Sequence, residues 1–210
     1  MNSETELFTE QFCLTARSLI ERHHTIYPWL PPQGIFFEAL VQQAFRQSGW
    51  PEAQVVATTP NSPQHDLLIG DQRLSIKTET GKGTKVSLIS ITKLCTTERE
   101  PWDSDTLVRR TMEHLSRYDR MLILRAIWRH GLIHYQLLEV PLPLLRLIVN
   151  LVATPVGNRS GRQSLGGDVN DQNETVFHIH FDGADGKCQV RNLLVSRCRM
   201  LLEWDQPIPA

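Results

Sequence analysis

The sequence predicts an α/β fold in a single domain spanning residues 1–210. Segments with helical spacing of apolar residues alternate along the chain with short strand-like runs, which is typical of this fold class. Apolar residues make up 40% of the chain, enough to fill a core. Gly70-Asp71 lies between two short alternating runs and predicts a two-residue hairpin turn.

Four segments are predicted to be helices. An apolar stripe runs through residues 4–25, and a proline-rich break over residues 27–33 separates it from a second stripe over residues 34–48. Glu38 is aligned with Val41 and Phe45, so it lies at the edge of the second helix's apolar face. A third helix covers residues 104–117 with Ser104 as its cap, and a short fourth begins at Pro141 and reaches residue 150.

The predicted strands lie between and after these helices, over residues 53–58, 86–92, 121–127, 132–138, 176–181 and 187–195, in addition to the hairpin. Residues 121–127 are almost wholly apolar, which predicts a strand buried on both faces. Residues 154–175 have no periodic pattern and are rich in Gly, Ser, Asn and Asp, so we expect a long loop there.

The hairpin brings charged residues together. A tight Gly70-Asp71 turn pairs Ile69 with Gln72 and therefore Asp66 with Ser75, and residues two apart on one strand share a face. Asp66, Ser75, Lys77 and Glu79 are thus predicted on one face, while the other face is apolar and carries Leu67, Ile69, Leu74 and Ile76.

This arrangement resembles the catalytic hairpin of the PD-(D/E)XK nuclease superfamily. Asp66 matches the first acid, and Ser75-Ile76-Lys77 matches the (D/E)-X-K half. The sequence departs from the motif at His65, where a proline is usual, and at Ser75, where the second acid is usual. The resemblance implies that Glu38 or Glu79 supplies the missing carboxylate.

The resemblance also implies the architecture and the cofactor. We expect a mixed β-sheet flanked by helices, a nuclease-like core over residues 30–140, and DNA recognition and dimerisation by residues 150–210. Mg²⁺ is the expected cofactor, since it takes carboxylate, water and phosphate oxygens as ligands. Its ligands would be Asp66, the carbonyl of Ile76, and Glu38 or Glu79, with Lys77 orienting the attacking water and Ser75 hydrogen-bonding a ligand water.

DNA recognition is predicted in two places. Residues 157–168 offer side chains that can read base edges or bind phosphate, among glycines that allow close approach: Asn158, Arg159, Arg162, Gln163, Ser164 and Asp168. Lys82, in the Gly81-Lys82-Gly83 turn, is a further candidate. An ordinary surface loop is the alternative for residues 157–168.

The function that the resemblance implies is sequence-specific cleavage of double-stranded DNA, as by a type II restriction endonuclease. Such an enzyme is expected to be a homodimer and to be accompanied by a DNA methyltransferase that protects the host. A repair nickase or junction resolvase of the same fold is one alternative. A non-catalytic DNA-binding protein is another, favoured by the missing second acid, and the four polar residues also fit an ordinary solvated hairpin face.

Composition sets further bounds on function and location. The 22 Lys and Arg residues nearly balance 23 Asp and Glu residues, so a DNA-binding surface must be local. The four cysteines lack CxxC spacing and predict reduced thiols in a cytoplasmic protein, with a zinc site at Cys188 and Cys198 as the alternative. We find neither a signal peptide nor a long apolar run, so no membrane span is expected.

Overall fold

The computed structural model describes residues 6–58, 64–97, 101–157 and 161–209. The helices are α1 (Glu10–Ile26), α2 (Ile35–Gln47), α3 (Ser104–Leu115) and α4 (Leu142–Leu145), with 3₁₀ turns at Glu52–Gln54, Arg146–Asn150 and Val195–Arg197. The strands are β1 (Val55–Ala57), β2 (Leu67–Ile69), β3 (Gln72–Glu79), β4 (Leu88–Thr96), β5 (Arg120–Arg129), β6 (Leu132–Glu139), β7 (Thr154–Pro155), β8 (Leu165–Asp171), β9 (Glu174–Asp182), β10 (Lys187–Leu194) and β11 (Arg199–Pro207).

The first sheet is mixed, as expected, and has the strand order β1-β2-β3-β5-β6-β11. Its neighbours are antiparallel except β3 and β5, which run parallel. Parallel neighbours require a crossover, which here runs through β4 and α3. The strand that follows the hairpin in sequence therefore does not lie beside it in this sheet.

A second, antiparallel sheet has the order β4-β10-β9-β8-β7. The prediction of a long loop over residues 154–175 is wrong, because β7 and β8 occupy much of this segment. The glycines were interpreted as loop residues, but Gly166 permits close packing of two strands. A Cβ at Gly166 would lie 2.5 Å from the backbone oxygen of Ile179.

Two apolar cores lie on opposite faces of the first sheet. One contains buried residues of α1 and α2, including Phe12 and Phe45, whose rings stack with centroids 4.2 Å apart. The other lies between the first sheet, α3, α4 and the second sheet. Strand β5 serves both cores, because Leu124 faces the first and Ile123 the second. This is the strand predicted to be buried on both faces.

Three details differ from the sequence prediction. Helix α1 begins at Glu10, where the Thr9 hydroxyl accepts a hydrogen bond from the Phe12 N–H, so residues 6–9 of the predicted segment are not helical, and residues 4 and 5 lie outside the described residues. Asp103 caps α3, while the Ser104 hydroxyl accepts from the Ala153 N–H. Strand β11 was not predicted, since its sequence shows no clear alternation.

The cysteines and helices bear on two further expectations. All four cysteines are free, and Cys13, Cys95 and Cys188 are buried. The described residues contain no cluster of three or more His, Cys, Asp or Glu side chains placed to hold a metal. In the same parts of the chain, no helix is both long and apolar enough to cross a membrane.

Candidate active site

The hairpin has the register predicted from its turn. Gly70 adopts a φ of 61°, which favours glycine, and Leu67 pairs with Leu74 while Ile69 pairs with Gln72. The Asp66 N–H then donates to the Leu74 carbonyl over 2.9 Å, so Asp66 lies beside Ser75. The first acid and the serine of the motif are therefore neighbours.

One oxygen of Asp66 collects three contacts. Its Oδ2 accepts a hydrogen bond from the Ile76 N–H at 2.6 Å and one from the Ser75 hydroxyl at 3.3 Å. The ammonium of Lys77 lies 3.8 Å from the same atom. Within the described chain no partner contacts Oδ1, so the carboxylate is held in place with one oxygen available to a ligand. Ser75 is buried, with an exposed fraction of 2%, and acts here by orienting Asp66.

The carbonyl of Ile76 lies on an open strand edge. Backbone groups two residues apart on a strand point to the same edge, and the Leu74 carbonyl points towards β2. The Ile76 carbonyl therefore points the same way, but β2 pairs with β3 only from Gln72 to Leu74. In the part of the chain that the structure describes, the hairpin thus leaves this carbonyl without a strand partner beside Asp66.

Helix α2 carries Glu38 within electrostatic range of Asp66 and Lys77. Burial raises the pKa of Glu38, the negative charge of Asp66 raises it further, and the positive charge of Lys77 lowers it. Glu38 is therefore close enough to interact with both hairpin residues. Two carboxylates that repel each other in a partly buried site are an arrangement that a divalent cation would relieve.

Glu79 was predicted as an alternative ligand, but the structure uses it elsewhere. Its Oε2 accepts from the Arg125 guanidinium at 2.7 Å and its Oε1 accepts from the Ser90 N–H at 2.9 Å. Burial raises its pKa, which the hydrogen bond and charge of Arg125 oppose. Both carboxylate oxygens are thus engaged in linking β3 to β5 and β4.

His114 is a neighbour that sequence reasoning missed. Burial, followed by the positive charges of Lys77 and Arg117, lowers its pKa to about 4, while a hydrogen bond to the Leu94 backbone and the charge of Asp66 act in the opposite direction. Its ring lies edge-on to Tyr118, with centroids 5.4 Å apart. Nothing in the sequence marks His114, since a histidine in a last helical turn is ordinarily explained by the helix dipole.

Two of the seven predicted recognition residues, Gln163 and Ser164, are held in local hydrogen bonds. Asn158 and Arg159 lie outside the described residues. The amide of Gln163 donates to the carbonyls of Val156 and Gly157, and the buried hydroxyl of Ser164 accepts from the Gly183 N–H at 3.2 Å. Ser164 is therefore a structural residue in this fold, with only 3% of its surface exposed.

The remaining recognition candidates are more accessible. The Arg162 guanidinium lies over the ring of Trp102, 4.8 Å from its centroid, and Asp168 contacts the His178 ring at 3.0 Å. Lys82 is exposed, with its ammonium 5.7 Å from the centroid of the Trp128 ring. Each of these side chains reaches the surface of the protein.

A cavity of about 180 Å³ opens beside the hairpin. It is lined by residues of three segments: Gly34 ahead of α2, Ile76, Lys77 and Thr78 of β3, and Ile91, Thr92 and Lys93 of β4. Thr78 also lines two neighbouring depressions, so a shallow groove continues from Lys77 towards Gln33 and Gly81.

Comparison with known proteins gives two matches. The family model named SmaI, described as type II site-specific deoxyribonuclease, matches residues 2–206. The type II restriction enzyme SmaI of Serratia marcescens is 29% identical over 177 aligned positions, and the match covers 82% of this chain and 71% of that enzyme. No solved structure matches the chain.

Proposed function

Because the chain belongs to the SmaI family of type II site-specific deoxyribonucleases, we propose that its catalytic centre consists of Asp66, Lys77 and Glu38. The observation that carries this assignment is the 3.8 Å approach of the Lys77 ammonium to the immobilised Asp66 carboxylate, at the end of a hairpin. An ordinary surface ion pair would not explain why the buried Ser75 and the Ile76 N–H both fix the same oxygen.

The donor set fits Mg²⁺. Magnesium is usually held by one or two carboxylates together with water and substrate phosphate. Asp66 Oδ1, the Ile76 carbonyl on its open edge and the Glu38 carboxylate are hard oxygen donors of this kind. When bound, the cation polarises the phosphate and acidifies water. We propose Mg²⁺ as the cofactor on these grounds.

The protein's own residues supply the remaining requirements of phosphodiester hydrolysis. Lys77 orients the attacking water and offsets the charge that builds on the phosphate oxygens. Ser75 and the Ile76 N–H hold Asp66 in one orientation, which avoids reorganisation during the reaction. Glu38 supplies the carboxylate that Ser75 lacks, because Glu79 is already paired with Arg125.

The test is cleavage of plasmid DNA by Lys77→Ala and Asp66→Asn variants in the presence of Mg²⁺. We expect each to lose cleavage while retaining its fold and DNA affinity, since both side chains lie outside the cores. Arg109→Ala is a matched control, because Arg109 of α3 is exposed and paired with Glu113 at 2.6 Å. Normal turnover by either site variant would refute the assignment, and nicked circles alone would indicate the nickase alternative.

Sequence recognition is proposed for the surface around residues 157–168 and Lys82. Arg to guanine is the commonest specific contact in the major groove. We expect Arg162→Ala, combined with Arg159→Ala, to relax specificity at one base pair or, if the contact is to phosphate, to weaken binding to all sequences. Unchanged affinity and unchanged site preference would exclude this surface.

We also propose that the enzyme acts as a homodimer beside a protecting DNA methyltransferase. A twofold symmetric protein matches a palindromic DNA site, which supports the dimer. A host with a restriction enzyme must protect its own sites, which supports the methyltransferase. Sedimentation of the free protein tests the first, and methylation of the recognition site in host DNA tests the second.

A further inference from the structure

Strand β4 carries an irregularity beside the cavity that Lys77 lines. Cys188 of β10 pairs with Cys95 and Val190 pairs with Ile91, so one residue of β10 lies opposite three residues of β4. Two extra residues are thus inserted in β4 between Ile91 and Cys95. Such bulges bend a strand and redirect side chains, and they are common beside active sites.

The bulge determines where Lys93 lies. Regular alternation would place Lys93 on the face of Ile89, Ile91 and Cys95, which are all buried in the second core. The observed strand instead has Thr92 and Lys93 exposed in succession, followed by Leu94 and Cys95 buried in succession. The insertion therefore removes a lysine from the core and places it at the cavity wall.

Lys93 and Lys77 line the same cavity of about 180 Å³. The Ser90 N–H, which donates to Glu79 at 2.9 Å, fixes β4 against β3 and so fixes the two lysines relative to each other. A water molecule takes up about 30 Å³ in the liquid, so this cavity has room for one phosphate group with a few waters. A phosphate that contacts Lys77 in this cavity therefore also lies close to Lys93.

The two lysines differ in their partners. Lys77 lies against Asp66, whereas no carboxylate among the described residues lies within 4.0 Å of Lys93. An ammonium that lines the same cavity as the proposed catalytic Lys77, with no carboxylate partner among the described residues, is suited to bind an anion from outside the protein. The anion that enters this cavity in a deoxyribonuclease is a DNA phosphate.

We propose that Lys93 binds the scissile phosphate and stabilises the charge that develops on its non-bridging oxygens. The proposal rests on the proposed function, in that Lys77 and Asp66 mark where the phosphodiester is cut. Lys93 transfers no proton and forms no bond in this role. Its contribution is electrostatic, from a position set by the bulge in β4.

The experiment measures DNA binding by the full-length protein without divalent cations, using duplexes that contain the mapped cleavage site. In one duplex the scissile phosphate is replaced by an uncharged methylphosphonate, and in another a phosphate several positions away is replaced. Lys93→Gln, Lys93→Arg and the matched control Arg109→Gln are compared with wild type. Single-turnover cleavage of unmodified DNA with Mg²⁺ is measured in parallel.

The measured quantity is the dissociation constant of the methylphosphonate duplex divided by that of the unmodified duplex. We expect Lys93→Gln to lower this ratio about tenfold when the methylphosphonate is at the scissile position, because a charge-assisted hydrogen bond is lost. The ratio should not change when the methylphosphonate is at the distant position. Its cleavage rate should fall about 10- to 100-fold. Lys93→Arg should retain most of both properties, and Arg109→Gln should resemble wild type.

An unchanged ratio at the scissile phosphate overturns the proposal, even when cleavage falls. An equal change of the ratio at the distant phosphate also overturns it, because Lys93 would then act as a general attractive charge. The proposed function is judged separately, by cleavage with Lys77→Ala and Asp66→Asn. Normal cleavage by those variants would refute the catalytic assignment without altering the binding ratio for Lys93.

Discussion

Asp66 is fixed by its neighbours before any substrate is bound. Its Oδ2 is held by the Ser75 hydroxyl and the Ile76 N–H, and Lys77 lies against the same oxygen. Ser75, at the position of the usual second acid, thus helps to orient Asp66. A carboxylate at this position would instead add another negative charge beside Asp66 and Glu38. We propose that the charge that the motif lacks comes instead from Glu38 of helix α2.

Single substitutions of Glu38 and Glu79 distinguish the roles of these two carboxylates. We expect Glu38→Gln to raise the Mg²⁺ concentration needed for cleavage and to leave thermal stability without metal unchanged or higher, because repulsion with Asp66 is removed. Glu79→Gln should instead lower thermal stability, since it weakens the pairing of the buried Arg125. Both variants are assayed by Mg²⁺ titration of cleavage and by thermal unfolding; a changed metal requirement only in Glu79→Gln would reverse the assignment.

His114 gives a pH prediction for the folded protein. Its folded pKa of about 4 lies below the ordinary value of 6.5, so the unfolded chain binds this proton more readily. His114 therefore lowers stability as the pH falls from about 6.5 towards 4. The surrounding charges are Lys77, Arg117 and Asp66, and the Leu94 backbone accepts from its ring.

The measurement is the pH dependence of unfolding in metal-free buffer, with the His114→Gln variant as the comparison. Wild type should lose more stability than the variant between about pH 6.5 and 4, and NMR should show the His114 ring titrating near the lower end of that range. Parallel stability curves, or a ring that titrates near 6.5, would contradict the prediction.

Strand β5 shows what an apolar pattern predicts and what it hides. The pattern correctly predicted a strand buried on both faces, but it gave no reason to expect that Arg125 is wholly buried. The guanidinium donates to Glu79, to the Gln136 side chain and to the carbonyls of residues 85, 86 and 88. Partners from four segments satisfy it, and sequence periodicity does not show contacts between distant segments.

Replacement of Arg125 tests this network. We expect Arg125→Met to cost about 3–5 kcal/mol of unfolding free energy, because it leaves Glu79 and several carbonyls buried without a partner. Adding Glu79→Gln to Arg125→Met should recover part of the loss, since the unpaired charge is removed. Chemical denaturation of the single and double variants measures this, and additive losses would show that the two side chains do not act as a pair.

The hairpin could be predicted because its register depends on one local turn. Gly70 and the alternation on either side determine that Leu67 pairs with Leu74, and the position of Asp66 follows from this pairing. Glu38 could be proposed from its place on the helix edge. Strand β8 could not be predicted, because its glycines are explained by the approach of β9 in the folded protein. Lys93 and His114 were also missed, because their positions too depend on the folded structure. A bulge in β4 brings Lys93 to the cavity, and the packing of α3 brings His114 close to the hairpin.

In the whole molecule, the two sheets are joined through the chain connections between them and through the core that both line. Strand β4 precedes α3 in the chain yet pairs with β10, and β11 at the end of the chain pairs with β6. Residues 30–140 and 150–210 therefore contribute strands to the same sheets. Strand β5 also packs its alternate side chains into both cores. These connections predict that both cores unfold in one cooperative transition.

Leu124→Ala tests this cooperativity by removing side-chain volume from the first core alone. Leu124 is completely buried, so the loss should be about 2–5 kcal/mol. If unfolding is cooperative, native-state hydrogen exchange should show the same loss for the slowest amides of β3 and of β9, although β9 faces only the second core. Leu14→Ala is the matched control, because Leu14 is 49% exposed and its replacement should change stability by less than about 0.5 kcal/mol. Retained protection in β9, with a loss confined to β3, would instead show that the two cores are separate folding units.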